Sequence, residues 1–231
     1  AKSASRLLAM DEGEFFRLVE SNPAGAGKVM AHMLSVTRRR LENTGGFLAD
    51  MVQWGEEARR RAITDPLTGL YNRYFYDQII EAEIARCARH DRTMCLIIFD
   101  IDHFKKINDT YGHLAGDQAL ASVAQVLREQ SRTSDTVCRF GGEEFAVVLP
   151  ETDLKGAALA AERIRRAVEQ LEIEANGRRI DATISVGATC YHFSVGNRNK
   201  SEVLSAADSA LYNSKKTGRN KISIVNMASE S

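Results

Sequence analysis

The chain has 231 residues, 44% hydrophobic and 27% charged, enough to bury a core and to carry an extension beyond one domain. Lysine plus arginine balances aspartate plus glutamate at 31 each, which argues against a general nucleic-acid binder or a protein held on acidic membranes. No apolar run approaches the roughly 20 residues that span a bilayer and no signal peptide is evident, so a cytoplasmic protein without a membrane partner is expected.

Asp11-Glu12-Gly13-Glu14 places negative charge ahead of Phe15-Phe16-Arg17-Leu18-Val19, which favours a short helix starting there. Ser21-Asn22-Pro23-Ala24-Gly25 reads as its end and a turn. A longer helical pattern runs from about Lys28 to Ile63. Alternating steps of four and three select Met30, Leu34, Thr37, Leu41, Thr44, Leu48, Met51, Gly55, Ala58 and Ala62. This is a coiled-coil seam with weak members, and Gly45-Gly46 is a place for it to break. Residues 1–62 therefore read as a helical stalk for dimerisation or regulation, and 63–231 as a separate domain. The clusters Arg38-Arg39-Arg40 and Arg59-Arg60-Arg61 read as a solvated helix face.

Asp65-Pro66-Leu67-Thr68-Gly69 is a turn, Tyr74 to Arg89 a helix and Thr93 to Asp100 a buried strand. Gly116 to Arg128 forms a helix, and a hairpin joins Val137-Cys138-Arg139-Phe140 to Phe145-Ala146-Val147-Val148-Leu149. Leu154 to Leu171 is an amphipathic helix, Asp181 to Tyr191 an alternating strand, Ser201 to Lys216 a helix and Lys221 to Val225 a closing strand. The order βαββαβ with extra elements predicts an α+β fold, an antiparallel-rich sheet with helices on one face. The four cysteines, Cys87, Cys95, Cys138 and Cys190, show no metal spacing, and reduced thiols are the simplest expectation.

The chemistry concentrates at Gly141-Gly142-Glu143-Glu144-Phe145. Two glycines let a turn pass close to a bound group, and two carboxylates at a hairpin tip are costly to bury without a cation. Asp100 ends the buried strand, so it converges with Glu143 if the two strands are neighbours, and hard oxygen ligands of this kind suit Mg²⁺ shared with phosphate. Lys215 and Arg219, four apart, share one face and suit a triphosphate.

These residues recur in a larger pattern. Asp65-Pro66-Leu67-Thr68-Gly69-Leu70-Tyr71-Asn72-Arg73, Phe99-Asp100-Ile101-Asp102-His103-Phe104-Lys105-Lys106-Ile107-Asn108-Asp109 with Tyr111-Gly112-His113-Leu114-Ala115-Gly116-Asp117, the Gly-Gly-Glu-Glu-Phe run and Lys215-Lys216-Thr217-Gly218-Arg219-Asn220 stand in order across about residues 63 to 226. Together they resemble the diguanylate cyclase family. The resemblance does not extend to the first sixty or so residues.

The resemblance implies a palm-like nucleotidyl-cyclase fold and the joining of two GTP molecules into cyclic di-GMP with release of two pyrophosphates. It implies two Mg²⁺ (or Mn²⁺) ions per active site, held by the Asp100 and Glu143 side chains and the Ile101 carbonyl, with Glu144 a second ligand or an orienting group. Phosphate donors are expected at the backbone of His103, Phe104 and Lys105 and at Lys215 and Arg219, beside Gly141 and Gly142. Guanine falls to Asn108 and Asp117, with Leu114 and Phe104 at the pocket walls and His113 behind them. A carboxylate accepts from both guanine N1–H and the exocyclic amine, whereas adenine offers no such pair. Arg132-Thr133-Ser134-Asp135, five residues before the glycine pair, matches the family's product-binding inhibitory motif, with Arg163 and Arg86 contributing from a neighbouring surface. The expected partners are thus GTP, cyclic di-GMP, a second copy in a homodimer and a regulatory protein on the stalk. Two other functions compete. One is an inactive cyclic di-GMP receptor, which usually loses Asp100 or part of Gly141-Gly142-Glu143, all present here; the other is a cyclase acting on one ATP, which Asn108 and Asp117 oppose.

Overall fold

The computed structural model describes residues 9–175, 177–192 and 198–227. The first eight residues of the expected stalk lie outside these. The chain divides into two compact units, Ala1–Arg59 and Arg60–Ser231.

The first unit holds the short helix α1 (Glu12–Ser21) and most of the long helix α2 (Pro23–Ile63). Asp11 and Glu14 close a capping box on α1, which explains why the acidic cluster starts a helix there. The expected turn shrinks to one residue. The Asn22 carboxamide accepts from Gly25 N–H at 2.9 Å and Pro23 occupies the first helical position, where its missing N–H costs nothing. Gly45-Gly46 does not break α2, correcting that expectation. Two glycines cost only about 2 kcal/mol relative to alanine, and α2 continues unbroken through 41 residues around them. Leu34, Leu41, Leu48 and Met51 are 56–69% exposed along it, an apolar row left uncovered by the described residues.

The second unit is built on one five-stranded sheet. Its strands are β1 (Thr93–Ile101), β2 (Thr136–Arg139), β3 (Glu144–Pro150), β6 (Ile184–His192) and β7 (Ile222–Asn226), in the order β2-β3-β1-β6-β7. All neighbours run antiparallel except β6 and β7. β4 (Ile173–Ala175) and β5 (Arg178–Ile180) form a small separate hairpin that the alternation in the sequence is too short to reveal. β1 is buried along nearly its whole length, as an apolar run with two packed faces must be.

Helices cover both faces, correcting the expectation of one. On one face α5 (His113–Glu129) and α6 (Leu154–Glu169) pack Leu120, Val123, Leu127, Ala161 and Ile164 against Ile97, Phe99, Phe145 and Val147. On the other, α3 (Arg73–His90) and α7 (Lys200–Lys216) pack Tyr76, Ile80, Val203, Ala207 and Leu211 against Leu96, Ile98, Ala146 and Val148. The apolar run of β1 supplies both cores by alternation.

Gly187 on β6 sets how close α7 lies. A Cβ there would stand 2.2 Å from the Leu211 nitrogen and 2.3 Å from the Ala207 oxygen, both backbone atoms that cannot step aside. Gly187→Ala is therefore expected to destabilise the protein by about 3 kcal/mol in urea denaturation; a loss under about 0.5 kcal/mol, the range of neutral surface changes, would contradict this packing.

Cys95 and Cys190 are cross-strand partners in the β1–β6 register and form a disulfide, which corrects the expectation of four reduced thiols. Their separation of 95 residues hides the adjacency. Cys87 and Cys138 are free and buried, and burial pushes their thiols up to about 11 and about 12, so neither is poised as a thiolate nucleophile.

Candidate active site

The end of β1 and the tip of the β2–β3 hairpin meet because the two strands are direct neighbours. Asp100 faces Glu144 in the register, and the Ile101 N–H donates to the Glu143 carbonyl at 3.3 Å. The sequence expectation that Asp100 and Glu143 converge rested on this adjacency. At the tip, Phe140 and Gly141 both donate their N–H to the Glu144 carbonyl. The Glu144 carboxylate folds over Gly141, where a Cβ would lie 2.7 Å from Glu144 Oε2, whereas a Cβ on Gly142 would meet open space.

An ion pair that sequence reasoning missed fixes the tip. Arg139 Nη1 reaches the two Asp65 carboxylate oxygens at 3.1 and 3.2 Å, while its Nη2 donates to the Gly142 carbonyl at 2.7 Å. Burial opposes ionisation of Asp65, but hydrogen bonds from Thr68 and the Arg139 charge hold its carboxyl below the usual range. The Asp65-Pro66-Leu67-Thr68 turn thus serves as an anchor for the hairpin. Its signal in the sequence was the acid itself, opening a turn whose Thr68 donates back to it at 2.7 Å.

Lys215, in the last turn of α7, brings its ammonium to 2.7 Å from Asp100 Oδ2. Burial nevertheless raises the Asp100 carboxyl, with Lys215 opposing and Asp102 adding to the rise. Glu143 and Glu144 are raised as well, first by burial and then by the Asp100 charge. Such a group of carboxylates is short of positive charge, and Lys215 sits where a cation is favoured. Among the described residues no three His, Cys, Asp or Glu side chains close into a metal cage. The Asp100 and Glu143 carboxylates are hard oxygen donors of the kind that fit Mg²⁺, which keeps much of its shell for water and substrate.

After β1 the chain turns through His103, whose φ is 57°, into α4 (Phe104–Tyr111). This helix was absent from the sequence reading; its eight residues are too few for a clear period. Its first N–H groups, of Phe104 and Lys105, have no acceptor among the described residues and are free to receive a phosphate. Gly112, at φ 88°, alone joins α4 to α5, a conformation that favours glycine. The short link brings Asn108 and Phe104 against the first turn of α5. A Cβ on Gly116 would meet Asn108 Oδ1 at 1.9 Å and the Phe104 ring at 3.2 Å, so Asn108 lies over the residue preceding Asp117. His113 opens α5, and Leu114 is 77% exposed beside this pair. Arg219 lies close enough to favour the ionised form of Asp100.

The Arg132–Asp135 turn lies apart from these carboxylates. The Arg132 N–H donates to Asp135 Oδ2 at 2.8 Å, and both residues line a hollow of about 410 Å³ with Tyr71 and Arg128. Arg163 donates to the Gln130 carbonyl at 2.7 Å, just before Arg132. Arg86 is one step further off, held by Glu151 at 2.8 Å, and Glu151 shares a second hollow with Arg132.

The model of the family described as diguanylate cyclase, GGDEF domain, matches residues 62–221. A diguanylate cyclase of Pseudomonas aeruginosa, DgcP, is 42% identical over 169 residues, 73% of this chain and 25% of that protein. Diguanylate cyclase A of Treponema denticola is 40% identical over 164 residues, 70% of this chain and 44% of its own length. The chain thus spans under half of these relatives. Among solved structures, the coiled coil and GGDEF domain of DgcB from Caulobacter crescentus, in complex with c-di-GMP, is 32% identical with a TM-score of 0.76, covering 82% of this chain and 99% of that one. The diguanylate cyclase SiaD of Pseudomonas aeruginosa, in complex with its activator SiaC, is 30% identical with a TM-score of 0.69, covering 92% and 80%.

Proposed function

The chain belongs to the diguanylate cyclase, GGDEF-domain family, and from that premise we propose that it condenses two GTP molecules into cyclic di-GMP with release of two pyrophosphates. The observation that carries this reading is the convergence of Asp100, Glu143 and Glu144 across the β1–β3 register with Lys215 on Asp100. In it, the Phe104 and Lys105 N–H groups with Lys215 and Arg219 hold the triphosphate. Asp100, Glu143 and the Ile101 carbonyl would hold two Mg²⁺ or Mn²⁺, which when bound would neutralise phosphate charge and make the attacking ribose hydroxyl more acidic. Glu144 orients this group, and Gly141 leaves room for its carboxylate. Asn108 and Asp117 select guanine, with Leu114 and Phe104 against the base and His113 behind it. An ATP molecule would leave the Asp117 carboxylate without donors.

Each domain holds one GTP, so two domains must face each other, and a two-fold homodimer presents each hydroxyl to the other's α-phosphate. Residues 1–62 serve as the dimerising stalk of the catalytic domain at 63–231. The complex of SiaD with its activator supports a regulatory partner for this chain as well, and we place that partner on the stalk. A nucleoside triphosphate substrate suits the cytoplasm, and among the described residues no helix is long and apolar enough to cross a membrane. Pyrophosphate release tests the reading: it should require GTP and Mg²⁺ and be absent with ATP, and equal turnover of ATP would remove it.

Arg132 and Asp135, with Arg163 and Arg86 nearby, form the product-inhibitory site in this reading. Arg132→Ala is expected to bind cyclic di-GMP at least about tenfold more weakly, the loss of one bidentate contact, and to accumulate more product. Unchanged product affinity by calorimetry would remove the inhibitory site and leave the active site standing.

A further inference from the structure

The turn between α7 and β7 is held in a conformation that most residues avoid. Gly218, Arg219 and Asn220 have φ of 122°, 60° and 45°. A left-handed non-glycine residue costs about 1 kcal/mol or more, so two in succession persist only where the surroundings fix them.

The surroundings do so through Asn220. Its N–H donates to Asp102 Oδ2 at 3.0 Å. Its carboxamide accepts from Arg165 Nη1 at 2.7 Å and donates to Glu169 Oε1 at 2.6 Å. Arg165 is itself forked onto Glu162 at 2.9 and 3.0 Å. On the other side, Asp102 is buried at 5% exposure and accepts from Thr183 Oγ1 at 2.8 Å and Ser185 Oγ at 2.6 Å. One buried carboxylate therefore ties β6 and the residue before it to the α7–β7 turn. It stands two residues past Asp100, so the same strand end offers one carboxylate to the reaction and sinks the next into the scaffold. Arg219, next to Asn220 in this turn, lies near enough to Asp100 to favour its ionised form. Its N–H is fixed to the Ser214 carbonyl at 3.0 Å, while its guanidinium makes no ion pair among the described residues.

We propose that Asp102 and Asn220 are positioning residues, which hold the left-handed turn so that the Arg219 guanidinium is aimed at the triphosphate over Asp100. Neither touches substrate. Lys215 lies on α7 itself and needs no such support. The proposal rests on the reading of Arg219 as a phosphate ligand, and the test separates the two.

The test is a double-mutant cycle on the full chain with GTP and Mg²⁺, reading KM and kcat separately. Arg219→Ala is expected to lower kcat/KM at least about tenfold, and Asp102→Asn to lower it to a similar degree, chiefly through KM. Asp102→Asn added to Arg219→Ala should cost little more, because the residue it positions is gone. Asn220→Gly keeps the left-handed turn accessible and retains the N–H bond to Asp102, while removing the carboxamide bonds to Arg165 and Glu169. It should remain folded and shift KM in the same direction, so the proposal stays testable if Asp102→Asn fails to fold. Multiplicative losses in the double variant, or an unchanged KM in Asn220→Gly, would overturn the positioning role while leaving Arg219 as a ligand. An unchanged kcat/KM in Arg219→Ala would overturn both, and product formation by the unmodified protein would still judge the cyclase reading.

Discussion

Glu143→Gln is expected to abolish cyclic di-GMP formation while leaving the fold intact, with turnover falling at least roughly a hundredfold. The amide keeps the shape of the hairpin tip but removes the negative charge that a shared cation needs. Stability should move the other way. Burial and the Asp100 charge raise the Glu143 carboxyl above its ordinary value. A raised carboxyl favours the folded state below its unfolded pKa, and that contribution is lost as pH rises through the folded pKa. At pH 7, without divalent metal, ionised Glu143 thus costs stability and glutamine removes the cost. Calorimetry should show a higher Tm in the variant at pH 7, with the difference gone below the ordinary carboxylate range. Near-normal turnover would sink the role of Glu143, and a lower Tm at pH 7 would sink the electrostatic argument.

The double variant Leu41→Glu/Leu48→Glu is expected to lose most of its activity at low protein concentration and recover much of it at high concentration. Both leucines are more than half exposed on α2, within the row formed with Leu34 and Met51. Carboxylates on a two-fold seam would face each other, adding repulsion to the lost burial. If the stalk raises the local concentration of two GTP-bearing domains, its loss returns assembly to mass action. The weak seam members, Thr37, Thr44, Gly55, Ala58 and Ala62, leave the association adjustable, which suits control by a second protein. Specific activity that does not vary with concentration in this variant would mean that the stalk does not assemble the active pair.

The sheet and most helices were legible because their signals are local. The buried run of β1 is a continuous apolar stretch, and the amphipathic periods of α3, α5 and α6 are long enough to read. That helices cover both faces was not legible, although α3 and α7 themselves were: a strand buried on both sides looks the same in sequence whether one layer or two covers it. α4 and the β4–β5 hairpin were too short for periodicity. Paired cysteines 95 residues apart become neighbours only through the β1–β6 register.

The candidate site divides in the same way. Asp100, Glu143, Lys215 and Asn108 could be named because their motifs stand intact in the chain, and Asp100 with Lys215, like Asn108 with the residue before Asp117, are brought together in space. The supporting residues could not be named. Arg139 reads as an ordinary strand residue until its reach to Asp65 and Gly142 is seen, and Asp102 as a companion of Asp100 until its three hydrogen-bond donors are counted. Such residues act through contacts distant in sequence, which no spacing records.

The most direct test of the central claim is the mass of the product formed from GTP and Mg²⁺. The account predicts cyclic di-GMP as the nucleotide product, with two pyrophosphates released for each molecule. A cyclic mononucleotide, or unchanged GTP under conditions where the protein is folded and dimeric, would contradict it.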